Sequence, residues 1–106
     1  MKLLYITITS LEDSRNKIKS IPDNVKVVLM NSPGSTRYLG MIVLDYIFKQ
    51  LKKEFYNIEK IILNIEDDHV ALYTAISLKY NNIIYNGNSY QAKNLIANHA
   101  IYLKRK

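Results

Sequence analysis

The chain has 106 residues, of which 48% are hydrophobic and 23% charged, and a formal net charge of +6. This length suits one domain with a core of moderate size, and the absence of cysteine excludes disulfides and thiolate metal sites. No stretch approaches the roughly 18 apolar residues of a membrane span, and residues 1–9 lack the features of a signal peptide. The composition therefore predicts one cytoplasmic domain, residues 1–106, with no membrane association.

The positive charge does not by itself indicate a nucleic-acid partner. The lysines are dispersed along the chain, and the basic run is Lys104-Arg105-Lys106 at the C-terminus. Recognition of a nucleic acid usually needs basic residues that cluster on one face. A nucleic-acid partner is therefore not expected.

The first third of the chain predicts two strands around a helix. Residues 2–9 alternate and are rich in Ile, Thr and Tyr, which is typical of a strand. Acidic residues come early and lysines late in the stretch from Ser10, an order that favours a helix, and Pro22 ends it. Residues 25–30 are nearly all apolar and predict a second strand that is buried on both faces.

The next segment predicts a loop over residues 31–34 and a long helix. Ser35 or Thr36 is expected to cap this helix, which runs to about Phe55. The apolar positions follow the helical period and are predicted to face the core: Leu39, Ile42, Val43, Tyr46, Ile47 and Leu51.

The remaining segment predicts two further strand–helix units. Residues 58–65 form a third strand, followed by a helix over 68–79, and residues 83–85 form a short fourth strand. A last helix is predicted from Ser89 to about Leu103. The inward face predicted for the helix over 68–79 consists of Val70, Ala71, Tyr73, Thr74, Ala75 and Leu78.

The alternation of strands and helices predicts the fold class. Four βα units favour a single α/β domain with a four-stranded, mostly parallel sheet flanked by helices. In such sheets ligands bind at the carboxyl ends of the strands, and that edge carries residues 9–12, 31–37, 66–69 and 86–90. The short fourth strand could also leave a sheet edge that a homodimer covers.

Ser35, Thr36 and Arg37 form the first candidate site on this edge. Two hydroxyls, backbone N–H groups at a helix start and one guanidinium suit an anion or a phosphate. Either hydroxyl could instead accept a phosphoryl group. The simpler interpretation is an N-cap followed by a solvated arginine, and the segment is not a Walker A loop.

Asp67 and Asp68 form the second candidate site. Carboxylate oxygens are the ligands that Mg²⁺ prefers, although acidic residues at a helix start are also ordinary partners of the helix dipole. No cofactor is expected, with Mg²⁺ at this acidic pair as the alternative. His69 and His99 have no partner at the spacing of a metal site or a catalytic triad. No catalytic residue is therefore predicted, and a non-enzymatic role is favoured over an enzymatic one.

Residues 25–95 resemble a STAS domain, the fold of anti-sigma factor antagonists, in the order of their elements. In that family a buried strand leads into a loop and helix that carry the motif Asp-Ser-Ser-Gly-Leu-Gly. Here residues 35–40, with the sequence Ser-Thr-Arg-Tyr-Leu-Gly, stand in the place of that motif. When the Leu-Gly pairs are aligned, the family's phosphorylated serine falls on Thr36, with Ser35 as the neighbouring candidate.

The resemblance implies a non-enzymatic regulatory domain that binds a protein and is switched by phosphorylation at Thr36 or Ser35. The implied partner surface is the loop and helix that begin at Ser35. Its contact residues would be Tyr38, Leu39 and Met41.

A second resemblance leads to an alternative. Residues 60–68 resemble the opening of a response-regulator receiver, whose acidic pair binds Mg²⁺, and less closely the last carboxylate motif of HAD phosphatases. The alternative is a small domain, receiver-like or HAD-like, that binds an anion or a phosphoester through residues 34–37 and 66–68. The expected fold is accordingly STAS-like or flavodoxin-like. The receiver's phosphoacceptor aspartate has no counterpart here, because the equivalent strand end offers Asn31.

Overall fold

The computed structural model describes residues 3–87 and the backbone of residues 102–104. The predicted class, an α/β domain with a parallel sheet, is confirmed. Among the described residues, no helix combines the length and the apolar character that crossing a membrane requires. In chain order the elements are β1 (Leu3–Ile8), α1 (Leu11–Lys19), β2 (Lys26–Asn31), α2 (Ser35–Tyr38), α3 (Met41–Glu54), β3 (Ile58–Glu66), α4 (His69–Ser77), β4 (Asn82–Tyr85) and β5 (Tyr102–Lys104).

The strands form one sheet in the order β1-β2-β3-β4-β5, and each neighbouring pair is parallel. The four predicted strands are present, and β5 adds a fifth. The predicted helix to about Leu103 is therefore wrong at its end, because Tyr102–Lys104 pair with β4. A strand of three residues depends on that pairing rather than on a local pattern. The rest of this predicted helix lies outside the described residues.

The sequential strand order places the described helices in one layer. Each strand is added on the same side of the preceding one. Right-handed crossovers then place all the connecting helices on one face of the sheet. Helix α3 contacts both α1 and α4, and all three contribute to a single core with alternate residues of the strands. The strand residues of this core are Ile6, Ile8, Val27, Leu29, Ile58, Leu63, Ile65, Ile83 and Tyr85.

The long helix predicted from Ser35 is two helices, because the chain turns at Gly40. Gly40 has φ 86° and ψ 151°, a conformation that is essentially restricted to glycine. Gly34, at φ 81°, precedes α2 in the same way. The residues at the two helix starts are therefore glycines, and the prediction that Ser35 or Thr36 supplies the cap is wrong.

The buried face of α3 differs from the prediction. Ile42 is 75% exposed and Tyr46 is 60% exposed, and Val43 also faces solvent. Residues 41–48 are apolar apart from Asp45, so two faces of this helix look equally apolar in the sequence. The start at Gly40 decides which face turns inward. The side chains that α3 buries are Met41, Leu44, Ile47, Phe48 and Leu51.

The predicted face of α4 is also partly wrong. Val70 is 76% exposed and Tyr73 is 46% exposed, whereas Leu72 is fully buried. Ala71 and Ala75 are buried as predicted. This short helix is apolar nearly all round, so its packing against β3 and α3, rather than its periodicity, selects the buried side.

A bidentate ion pair joins α1 to α3. The Nε and Nη2 atoms of Arg15 donate to the two carboxylate oxygens of Glu54, each at 2.6 Å. Gln50 donates to the same carboxylate at 2.8 Å. Arg15, and after it Gln50, lower the pKa of Glu54 from 4.5 to about 2.

We expect this pair to give stability a specific pH dependence. Because the folded-state pKa of Glu54 is depressed, its contribution is present above about pH 4.5 and is lost as the pH falls through about 2. An NMR titration of the Glu54 carboxyl carbon should therefore give a midpoint near 2 in the wild type, and Arg15→Gln should raise it towards 4.5. Arg37→Gln is the control and should leave it unchanged. A wild-type midpoint near the ordinary pKa of 4.5 would contradict the ion pair between Arg15 and Glu54.

Candidate functional site

The side chain of Asn31 joins three elements at the carboxyl edge of the sheet. Asn31 is fully buried at the end of β2. Its Nδ2 donates to the carbonyl oxygen of Asn64 in β3 at 2.8 Å and to the Ser35 hydroxyl in α2 at 2.7 Å. Its Oδ1 accepts the backbone N–H of Asn64 at 2.6 Å. The amide thereby satisfies backbone groups that a side chain without both a donor and an acceptor would leave unpaired.

Ser35 is a structural residue of this edge. Its side chain is 1% exposed, and its hydroxyl donates to the Ser32 carbonyl oxygen at 2.7 Å while accepting from Asn31. The hydroxyl therefore points inward, away from any ligand or modifying enzyme in solvent.

Thr36 connects α2 to the start of α4. It is 6% exposed, and its hydroxyl donates to Asp68 Oδ2 at 3.0 Å. The other carboxylate oxygen of Asp68 accepts the backbone N–H of Ala71 at 3.1 Å, which is the geometry of an N-cap. The capping interpretation of Asp68 thus fits its contacts.

Arg37 and Asp67 form an exposed ion pair beside this contact. Arg37 Nη2 donates to Asp67 Oδ1 at 2.7 Å, and the two side chains are 53% and 64% exposed. The guanidinium lowers the pKa of Asp67 below its usual value. Among the described residues, no group of three or more His, Cys, Asp or Glu side chains could hold a metal ion.

The backbone around Glu66 joins the end of β3 to the segment that follows β4. Glu66 has φ 51°, and the pairing of β3 with β4 shifts register between Asn64 and Glu66. Its backbone N–H donates to Asn64 Oδ1 at 3.2 Å, and its carbonyl oxygen accepts from the Asn86 N–H at 2.8 Å. A bulge of this kind commonly turns side chains towards a functional edge.

The sequence analysis missed a contact between His69 and Tyr85. The hydroxyl of Tyr85 lies 2.5 Å from His69 Nδ1. Tyr85 is 1% exposed, and a Cβ atom at Gly87 would lie 2.3 Å from its hydroxyl oxygen. The close approach of Gly87 thus requires glycine there. The sequence signal for this contact is Gly87, which stands two residues after Tyr85, the last residue of the apolar strand β4.

All of these groups have partners within the protein. Among the described residues, no buried side-chain nitrogen or oxygen lacks a hydrogen-bond partner. The described part of the edge, which ends at residue 87, therefore presents no orphaned polar group that would mark a small-molecule site.

A cleft of about 290 Å³ lies at the opposite, amino end of the sheet, where α3 ends and β3 and β4 begin. In its wall the Tyr80 hydroxyl donates to Asp45 at 2.7 Å, and burial raises the pKa of Tyr80. The cleft does not belong to the carboxyl edge.

The three predicted partner-contact residues have different environments. Tyr38 is 67% exposed, whereas Met41 is 8% exposed and Leu39 packs against the core. The Tyr38 hydroxyl lies 2.8 Å from the Ser32 hydroxyl, so its ring is oriented. Of the three, Tyr38 alone offers most of its side chain to another molecule.

Further exposed apolar side chains lie at the same end of the helix layer as Tyr38. Helices α3 and α4 both begin at the carboxyl edge, and they contact each other. The first two turns of α3 expose Ile42 and Tyr46, and the first two turns of α4 expose Val70 and Tyr73. We call this set the apolar surface: Tyr38, Ile42, Tyr46, Val70 and Tyr73.

Replacing Asn31 tests the structural basis of this edge. We expect Asn31→Ala to lower the free energy of unfolding by about 3 kcal/mol, because it leaves several buried groups unpaired. Asn57→Ala is a matched control, since Asn57 is also buried but its amide makes one described hydrogen bond, to the Val25 carbonyl oxygen at 3.1 Å. The control should lose about 1 kcal/mol in urea denaturation. Equal losses of unfolding free energy in Asn31→Ala and Asn57→Ala would contradict the central role of Asn31.

The chain was compared with known families, curated proteins and solved structures. No protein-family model matches it, and no solved structure matches it significantly. It is 44% identical over 93 residues to Uncharacterized protein RP547 of Rickettsia prowazekii (strain Madrid E), covering 85% of this chain and 84% of that protein. At this identity and coverage, the chain belongs to the same protein family as RP547.

Proposed function

We propose that the protein is a non-enzymatic interaction domain that binds a protein partner through the apolar surface. One observation carries the proposal: these five large side chains are between 46% and 76% exposed at one end of the helix layer. Monomeric proteins rarely expose large apolar side chains together, and such patches commonly mark interaction sites. Two aliphatic residues and three tyrosines are also side chains that binding sites favour.

The solvent face of α3 indicates the chemistry of the partner. Ile42 and Tyr46 lie four residues apart, and Lys49 and Lys53 follow them at helical spacing on the same stripe. This face is therefore apolar at its start and basic towards its end. A partner that fits it has an apolar patch bordered by acidic residues.

The hydrogen bonds of the carboxyl edge support docking by holding α2 in place. Asn31 fixes Ser35, Asp68 fixes Thr36, and Ser32 orients the Tyr38 ring. A side chain that is ordered before binding loses less conformational entropy when a partner arrives. The proposed role agrees with the one that the STAS resemblance implies. We also propose a cytoplasmic location, because the absence of cysteine favours a reducing compartment.

The same contacts disfavour the anion- or phosphoester-binding alternative. Arg37 is paired with Asp67, and the hydroxyls of Ser35 and Thr36 donate to Ser32 and Asp68. Each group that the alternative requires has an internal partner, so binding would first have to break these contacts. The geometry thus favours the interaction domain.

Phosphorylation of Thr36 is the regulatory part of the proposal. A phosphate there would replace the hydrogen bond to Asp68 by repulsion from the carboxylates of Asp67 and Asp68. Since Thr36 is nearly buried, a phosphate could be accommodated when α2 moves outward, and Tyr38 would move with it. The modification would therefore switch docking off.

The docking proposal is tested by removing the apolar side chains of α3. The double variant Ile42→Ser and Tyr46→Ser should lose partners that the wild type captures from extracts of its native cell, as quantified by mass spectrometry. Tyr56→Ser is the matched control, because Tyr56 is 76% exposed but follows the other end of α3. A recombinant partner should then bind the wild type and the control equally. Partners retained by the double variant would count against the proposal.

The switch is tested with two substitutions at one position. Thr36→Val removes the hydrogen bond to Asp68 and should cost about 1 kcal/mol in the free energy of unfolding. Thr36→Glu also adds a negative charge beside Asp67 and Asp68, so it should cost about 1 kcal/mol more and should weaken partner binding further. Equal stability and equal binding of the two variants would eliminate the electrostatic switch.

A further inference from the structure

The cleft at the amino end of the sheet is lined by three segments of the chain. These are residues 45–52 of α3, residues 59–61 of β3 and residues 78–82, which lead from α4 into β4. Strand β4 is not the sheet edge that the sequence analysis expected a homodimer to cover, because β5 pairs with it. The strand is thus held on both sides, and the turn before it has a fixed base.

Tyr80 fastens this turn to α3. Its hydroxyl donates to Asp45 Oδ1 at 2.7 Å, and Asp45 Oδ2 pairs with Lys49 Nζ at 2.9 Å. The Tyr80 ring also packs edge-to-face on Phe48, with 6.1 Å between the ring centroids. The cleft is therefore formed before any ligand binds, and a preformed site loses less conformational entropy on binding.

The cleft carries a positive charge. Among the residues that line it, lysines outnumber acidic residues four to two. Lys49 is paired with Asp45, whereas the exposed side chains of Lys52 and Lys79 form no ion pair within the described part of the chain. Glu59 is the acidic residue of the cleft that is not paired in the same way. The cleft thus offers two unpaired cations against one unpaired anion.

Lys79 occupies a backbone position that usually belongs to glycine. Its φ is 68°, and it directly follows the end of α4. Its N–H donates to the Ile76 carbonyl oxygen at 2.9 Å, and the Tyr80 N–H donates to the Ala75 carbonyl oxygen at 3.0 Å. This hydrogen-bond pattern ends many helices, with glycine favoured at the left-handed residue. Left-handed residues other than glycine cluster at functional sites, so a lysine here indicates that its side chain is used.

We propose that the cleft binds a small phosphomonoester, with the phosphate between Lys52 and Lys79. Such a phosphate carries about two negative charges at neutral pH and three acceptor oxygens. Two ammonium groups match that charge, and the amide of Asn81, which also lines the cleft, can donate to a remaining oxygen. A carboxylate carries a single charge and would leave one lysine unmatched.

The size and the apolar lining of the cleft define the rest of the ligand. Phe48, Ile61 and Leu78 line the cleft beside the charged residues and can contact an organic substituent. The volume of about 290 Å³ is at the lower end for small-molecule sites, which range over about 300–1,000 Å³. This suits one phosphate and its substituent. The inference does not rest on the proposed function, because the cleft and the apolar surface share no residue.

Isothermal titration calorimetry at low ionic strength tests the ligand class. Ribose 5-phosphate, glycerol 3-phosphate and AMP are the probes, and at least one should bind saturably and shift the NMR amide signals of residues 79–81. Adenosine should not bind, and inorganic phosphate should bind about ten-fold more weakly or less, because it lacks the organic part. No binding of any phosphomonoester, or signals that shift at residues 35–37 instead, would overturn the proposal.

Two variants test the lysines. Lys52→Gln should weaken binding of the best probe about ten-fold, since it removes a charge-assisted contact. Lys79→Gly should weaken it similarly and should raise the midpoint of thermal unfolding by about 4 °C, because glycine relieves the left-handed backbone. A merely structural role of Lys79 would not give higher stability with lower affinity. Undiminished affinity in either variant would overturn the proposal.

Two further substitutions separate the cleft from the general charge of the protein. Glu59→Gln should strengthen binding, because it removes a negative charge from the cleft. Lys19→Gln makes the same change of charge as Lys52→Gln, but at the end of α1 and outside the cleft, and should leave the affinity unchanged. All four residues are exposed, so these variants should fold, as circular dichroism would check. Equal losses of affinity in Lys19→Gln and Lys52→Gln would reduce the effect to net charge and overturn the site.

Discussion

The buried amide of Asn31 is the contact on which the carboxyl edge depends. It bonds to the backbone of Asn64 through both its donor and its acceptor, and it also holds Ser35 at the start of α2. An amide can do this because it carries a donor and an acceptor on one planar group, which neither a carboxylate nor a hydroxyl of that length provides. Together with the contact between Thr36 and Asp68, this side chain holds α2, and with it Tyr38, at the carboxyl edge.

The polar side chains of the carboxyl edge form hydrogen bonds and ion pairs within the protein. These internal contacts determine what the edge can bind. Thr36 is bonded to Asp68, and Arg37 is paired with Asp67. What remains for another molecule is the apolar surface, at the end of α2 and in the first two turns of α3 and α4. A surface of this composition gains free energy by excluding water from a matching protein surface, so the chemistry of the edge favours a macromolecular partner.

The sequential order of the strands has two consequences. It places α1, α3 and α4 side by side in one layer, which brings the members of the apolar surface onto one side of the protein. It also leaves the first strand at the rim of the sheet, where Tyr5 and its neighbours are accessible.

The sequence by itself determined the α/β class and the positions of four strands, because alternation and apolar runs are local properties that survive in any tertiary context. It also indicated the carboxyl edge and Tyr38. The tertiary structure decided which faces of α3 and α4 are buried, since residues 41–48 are apolar on two sides and the break at Gly40 sets the phase. It likewise decided that Ile42 and Val70 face solvent and that residues 102–104 form a strand, because those outcomes depend on packing and pairing with distant residues.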